Sequence, residues 1–229
     1  GHGGRGLTMA GADGMVSCLI PAAGAGERLG QGTKGLLELR GRPLLCWLAD
    51  KAMQVADEVL VAVPGGSVEA VARLLPGCRV LAGGDTRHDS VALLAEHARG
   101  EWLLLQDVAR PFASVGLMRR VIEAARTHGC AGAFVDPEVP VARLRDGFAV
   151  EALPRHEAGV FQSPQAFARV QLLALIGQAR ADGWRPQSTL QLALRAGVPV
   201  AAVAGEKHNI KITTAEDWRW ACAMEEYLS

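Results

Sequence analysis

Two cations, Arg28 and Lys34, share one stretch with a run of small residues, Pro21-Ala22-Ala23-Gly24-Ala25-Gly26-Glu27-Arg28-Leu29-Gly30-Gln31-Gly32-Thr33-Lys34. Small side chains let backbone N–H groups close around a polyphosphate, and the two cations neutralise its charge, so the stretch reads as a triphosphate cradle. It is not the dinucleotide fingerprint, because the third glycine comes one residue too late. Nor is it a Walker A loop, because Lys34 is followed by Gly35 and the glycine spacing fails. A ligand-free, glycine-rich strand-to-helix turn is the alternative, and the pair of cations in one loop favours the cradle.

Three more stretches carry chemistry. Gly83-Gly84-Asp85-Thr86-Arg87-His88-Asp89-Ser90-Val91 joins a strand end to a helix start, which puts Gly83, Asp85 and Ser90 at the carboxyl edge of a parallel sheet, where they could read a base or a ribose. Asp89 or Ser90 could equally cap that helix. Asp107-Val108-Ala109-Arg110-Pro111-Phe112 sets a carboxylate just past an apolar strand, placed to hold Mg²⁺ against phosphate oxygens, with Arg110 able to grip a second phosphate. A structural Asp107–Arg110 ion pair is the competing reading. Lys211 lies in the apolar-flanked segment Asn209-Ile210-Lys211-Ile212, where a lysine is aimed rather than solvated. The six histidines show no metal-ligand spacing, and no serine or cysteine sits in a nucleophile elbow.

The elements that must position these residues alternate. Strands are expected over 16–21, 58–63, 79–81, 102–106 and 131–135, and helices over 43–54, 68–75, 89–98 and 115–127. That alternation predicts an α/β fold, a Rossmann-like and mostly parallel sheet with helices on both faces. Residues 136–162, with Pro137, Pro140, Pro154 and a turn at Arg145-Asp146-Gly147, read as a projecting β-arm. Helices over 164–181 and 188–196, a strand over 199–203 and a helix from Thr214 complete the pattern.

With 229 residues, 49% hydrophobic and 21% charged, the chain is read as one domain over 15–229, and residues 1–14 as a disordered leader or preparation remnant. Equal numbers of basic and acidic side chains, 24 of each, exclude a global field drawing it to nucleic acid or membrane. Five scattered cysteines without a CxxC pair fit free thiols in a cytoplasmic protein.

In order, PAAGAGERLG with Lys34, GGDTRHDSV, DVARPF, FQSPQAF and NIKITTAEDW resemble the 2-C-methyl-D-erythritol 4-phosphate cytidylyltransferases. The likeness runs through most of residues 15–229. It implies a nucleotide-diphospho-sugar transferase fold and transfer of CMP from CTP to methylerythritol phosphate, with Mg²⁺ and release of pyrophosphate. Arg28, Lys34 and Lys211 would then be catalytic, and Ala22, Ala23, Gly24, Ala25, Gly26, Gly30, Gly83, Asp85 and Ser90 would bind CTP. Asp107, Arg110, Arg155 and Ser163 would face the acceptor, with Arg155 and Ser163 supplied by the second subunit of a homodimer formed through residues 136–162.

The chain departs from the family's pattern at Thr33, at Gln106, at Ala142-Arg143-Leu144-Arg145 and at Gln187-Ser188-Thr189. These changes lie mostly on the acceptor side, so cytidylyl transfer to another polyol phosphate such as ribitol 5-phosphate stays open. A nucleotide-binding protein without turnover and a dehydrogenase are the further alternatives, the first disfavoured by Arg28, Lys34 and Lys211, the second by the glycine spacing.

Overall fold

Six consecutive buried residues, Val16–Pro21, form strand β1, whose alternate side chains enter opposite cores: Cys18 and Ile20 on one face, Leu19 on the other. Such two-sided burial is the signature of a strand inside a helix-covered parallel sheet. The computed structural model describes residues 14–24 and 34–228. The expected leader, except Gly14, and the stretch containing Ala25, Gly26, Arg28 and Gly30 lie outside the described residues.

The short strands β2 (Glu38–Leu39) and β3 (Arg42–Pro43) form a small hairpin that precedes helix α1 (Leu44–Ala52). Strand β4 (Glu58–Val63), helix α2 (Val68–Leu74), strand β5 (Arg79–Ala82), helix α3 (Arg87–His97), strand β6 (Trp102–Leu105) and helix α4 (Val115–His128) continue the alternation. After strand β7 (Cys130–Val135) come the hairpin β8 (Val141–Arg145) and β9 (Phe148–Leu153), then strand β10 (Val160–Ala168). Helices α5 (Arg169–Ala181) and α6 (Leu190–Arg195), strand β11 (Ala201–Ala204) and helix α7 (Ala215–Ala223) end the described chain.

Among the described residues the main sheet has seven strands in the order β11-β7-β10-β6-β1-β4-β5. Only β10 runs against its neighbours. Residues of α1, α2 and α4 pack on one face, and those of α3, α5 and α6 on the other. The expected α/β layout therefore holds. No helix of the described residues is long and apolar enough to cross a membrane.

Two local expectations are corrected. The helix expected over 164–181 begins only at Arg169, because residues 164–168 belong to β10. Residues 164–167 are all buried, so the segment lacks the alternation of a half-buried strand and cannot be told from a buried helix by periodicity. Pro164, which has no N–H to give, sits where the β10–β7 register shifts between Phe161 and Gln165. The second correction concerns α3, whose N-cap is Thr86 rather than Asp89 or Ser90. Thr86 accepts from the Asp89 N–H, and the Asp89 carboxylate answers the Thr86 N–H. The same reciprocal box, Thr214 with Asp217, starts α7, the helix expected from Thr214.

The arm is a two-stranded sheet paired only with itself among the described residues, turning through Asp146 (φ 50°) and Gly147 (φ 84°) as the Arg145-Asp146-Gly147 signal predicts.

The loop after β5 presses on the segment after β1. A Cβ on Gly83 would overlap the Ala23 Cβ and lie 2.9 Å from the Ser90 Oγ. Gly83→Ala is expected to lower the unfolding free energy by about 1–3 kcal/mol. Urea denaturation measures this, and an unchanged midpoint would contradict the close packing.

Candidate active site

The strand order reverses between β1 and β6: the chain runs outward from β1 through β4 to β5, then returns to place β6 on β1's other side. Ligands in such sheets bind at the carboxyl ends beside this reversal. A cleft of about 150 Å³ opens there, lined by Pro21 at the end of β1, Ala22, Ala23 and Gly24 after it, Arg87 and Ser90 of α3, and Asp107, Val108 and Ala109 after β6. Lys34 and Lys211 close it. Segments far apart in sequence thus deliver backbone, cations and one carboxylate to a single opening.

A small third apolar cluster brings them together. Phe112 and Ile212, both fully buried, pack with Leu37, Leu39, Leu44 and the α7 residue Ala221. Phe112 anchors the loop holding Asp107, Ile212 follows Lys211, and Leu37 follows Lys34, so burying these side chains fixes the two lysines and the carboxylate around one cleft. Hydrogen bonds set the register: the Ile212 N–H donates to the Ala109 carbonyl (2.8 Å), and the Lys34 ammonium donates to the Ile212 carbonyl (2.9 Å).

Lys51 supports the same loop from below. Its ammonium is buried and donates to the carbonyls of Pro111 (3.2 Å), Ala113 (3.4 Å) and Tyr227 (3.4 Å). Burial pushes its pKa down, partly offset by Glu206. Gln106, fully buried, braces the loop through its amide, which donates to the carbonyls of Asp107 and Arg110.

Asp107 is the cleft's carboxylate, its side chain 15% exposed. Arg87 donates to its Oδ1 from Nε (2.9 Å) and Nη2 (2.7 Å), and the Lys211 Nζ lies 3.9 Å from its Oδ2. Burial by itself would raise the Asp107 carboxyl, but Arg87 and Lys211, with Arg110, outweigh it and hold the group below the usual carboxylate range. Among the described residues no cluster of three acidic, histidine or cysteine side chains stands ready for a metal ion. Asp107 Oδ2 is the carboxylate oxygen left by Arg87, which suits a cation that takes one protein carboxylate and fills its shell with phosphate oxygens and water.

The structure brings Ala22, Ala23, Gly24, Lys34, Ser90, Asp107 and Lys211 to the cleft. Gly83 lies just behind it against Ala23, and the Ser90 hydroxyl accepts from the Gly84 N–H (3.1 Å), so it also shapes the loop. Asp85 is exposed beside that loop.

Arg110 is not brought to the cleft. Its guanidinium donates to the carbonyls of Asn209 (2.6 Å) and Phe161 (3.2 Å), because buried carbonyls at this junction need donors. Arg110 acts on Asp107 only through its charge, and the hydrogen-bonded partner of Asp107 is Arg87.

Ser163 is buried in β10, where its hydroxyl accepts from the Asp107 N–H of its own chain (3.2 Å). Arg155 is exposed at the foot of the arm, donating to the Glu138 carbonyl (3.2 Å), and lies outside this cleft. Sequence reading misses Arg87 and Thr189. Arg87 stands within the quoted Gly83-to-Val91 stretch, and its position at the first turn of α3, facing the sheet's carboxyl edge, is the available signal.

The family model for 2-C-methyl-D-erythritol 4-phosphate cytidylyltransferase matches residues 16–226. The Thermus thermophilus protein of that name is 42% identical over 203 residues, covering 88% of this chain and 93% of its own, and the Symbiobacterium thermophilum one is 36% identical over 217 residues, covering 90% and 91%. The crystal structure of the Thermus thermophilus enzyme superposes with a TM-score of 0.79 at 36% identity, covering 93% of this chain and 99% of that one. That of 4-diphosphocytidyl-2C-methyl-D-erythritol synthase from Anaerococcus prevotii gives 0.84 at 26% identity, covering 93% and 96%. A match along nearly the whole chain, on a fold whose sheet edge gathers the lysines and carboxylate of the shared motifs, places the chain in the 2-C-methyl-D-erythritol 4-phosphate cytidylyltransferase family.

Proposed function

We propose that the cleft transfers CMP from CTP to 2-C-methyl-D-erythritol 4-phosphate and releases pyrophosphate, a step of isoprenoid biosynthesis. The observation that carries this reading is the convergence of Lys34, Lys211 and the small-residue segment 22–24 on one opening at the sheet's carboxyl edge. A triphosphate needs that combination: unobstructed backbone for close approach, and cations to meet its charge.

The acceptor's phosphate oxygen attacks the α-phosphorus of CTP in line, and pyrophosphate leaves. A phosphate is already anionic at neutral pH, so no side chain has to remove a proton. The protein's task is alignment plus stabilisation of charge on the α-phosphoryl oxygens. Lys211 faces the cleft from the Ile210–Ile212 side, and Lys34 is held at its mouth by the Ile212 carbonyl. Asp107 stays ionised between Arg87 and Lys211, ready to orient the acceptor's polyol end or to offer Oδ2 to Mg²⁺. When bound, that cation would neutralise phosphate charge.

The same reading includes a cytoplasmic homodimer. All five cysteines are free, as a reducing compartment requires. The arm exposes Leu144, Phe148 and Val150 on a hairpin that pairs with no other described strand, and Arg155 at its foot is available to a partner's cleft. Sedimentation should give twice the chain mass; a monomer at micromolar concentration would count against the arm's role.

Pyrophosphate release with CTP, Mg²⁺ and a choice of acceptors tests the activity. Methylerythritol 4-phosphate is expected to be used well and ribitol 5-phosphate poorly; the reverse would reassign the acceptor. Lys34→Ala and Lys211→Ala should each lower kcat by roughly 10²–10³-fold with the fold intact by circular dichroism. Near-normal turnover in either would remove that lysine from the catalytic set.

A further inference from the structure

We propose that Arg87 is a positioning residue for the acceptor: its guanidinium holds one oxygen of Asp107 and leaves the other to the cleft. Two donors of the fork, Nε and Nη2, converge on Oδ1 at 2.9 and 2.7 Å, while the third, Nη1, donates to the Thr189 hydroxyl at 3.0 Å. Thr189 is buried at the start of α6, so the guanidinium is fastened at both ends. A planar fork gripped on two sides fixes the rotation of the carboxylate it meets, which a point charge on a flexible stem would not do.

The consequence is a division of labour within one carboxylate. Oδ1 is committed to Arg87, while Oδ2 lies on the Lys211 side at 3.9 Å and is the oxygen presented to a ligand. The Asp107 N–H is also engaged, donating to the Ser163 hydroxyl, so both ends of this residue are held before any ligand arrives. Arg87 follows the Thr86 cap in the first turn of α3, between the loop residue Gly83 and the helix residue Ser90, and therefore ties the expected nucleotide side to the acceptor side through a single ion pair.

This inference rests on the cytidylyltransferase reading, and its test separates the two. Steady-state kinetics with CTP and methylerythritol phosphate would compare Arg87→Gln, Arg87→Lys, Asp107→Asn and the Arg87→Gln/Asp107→Asn double variant. Arg87→Gln is expected to raise the acceptor KM about tenfold or more while the CTP KM stays within about twofold. Arg87→Lys should not restore it, because a lysine keeps the charge but loses the fork. The double variant should be no worse than Asp107→Asn alone, since Arg87 acts through Asp107.

Additive losses, an equal rise in the CTP KM, or full rescue by Arg87→Lys would overturn the proposal. A crystal structure of Arg87→Gln gives a readout that needs no turnover: the Asp107 carboxylate is expected to leave its present orientation, and an unchanged one would overturn the positioning role. Absence of transfer by the unaltered protein would end the functional reading while leaving that structural readout standing.

Discussion

Withdrawing a carboxylate from water costs several kcal/mol unless other groups replace the lost solvation. At Asp107 the replacement comes from Arg87 on one oxygen and Lys211 facing the other, while the Ser163 hydroxyl fixes the backbone by accepting from the Asp107 N–H. Each of these arrives on a different element: α3, the segment before α7, and β10. The carboxylate is therefore stable only when these three parts of the chain are correctly assembled, and their assembly is what forms the cleft. The apolar cluster of Phe112, Ile212 and Leu37 supplies the non-directional attraction that gathers the segments, and the ion pairs then select one geometry.

Much of this is legible in the residues. Strands β1 and β4 fall where their apolar runs predict, and helix α4 within a residue, because two-sided burial and a clear 3.6-residue period leave little ambiguity. The motif positions also suffice to bring Lys34, Asp107 and Lys211 to one edge, since in a parallel sheet every strand-to-helix loop opens on the same side. The turn of the arm is visible in Asp146 and Gly147 for a purely local reason, the need for positive φ.

What is not legible depends on partners distant in sequence. The beginning of α5 escapes because a strand buried on both faces has no period of its own. Arg110 is read in the sequence beside Asp107, and nothing local announces that its guanidinium donates to the carbonyls of Asn209 and Phe161, 99 and 51 residues away. Arg87 is inconspicuous because nothing near it in sequence announces Asp107 and Thr189 as its neighbours. Gln106 and Thr189, two of the departures from the family's pattern, are both buried; the Gln106 amide nitrogen donates to the loop that holds Asp107, and the Thr189 hydroxyl accepts from the Arg87 guanidinium.

A crystal structure of the complex with CTP tests the role of this cleft most directly. The triphosphate is expected against residues 22–24, between the ammonium groups of Lys34 and Lys211, with the Arg87–Asp107 pair intact and Oδ2 turned to the open end of the cleft. A nucleotide bound away from the two lysines, or a triphosphate that displaces Asp107 from Arg87, would contradict it.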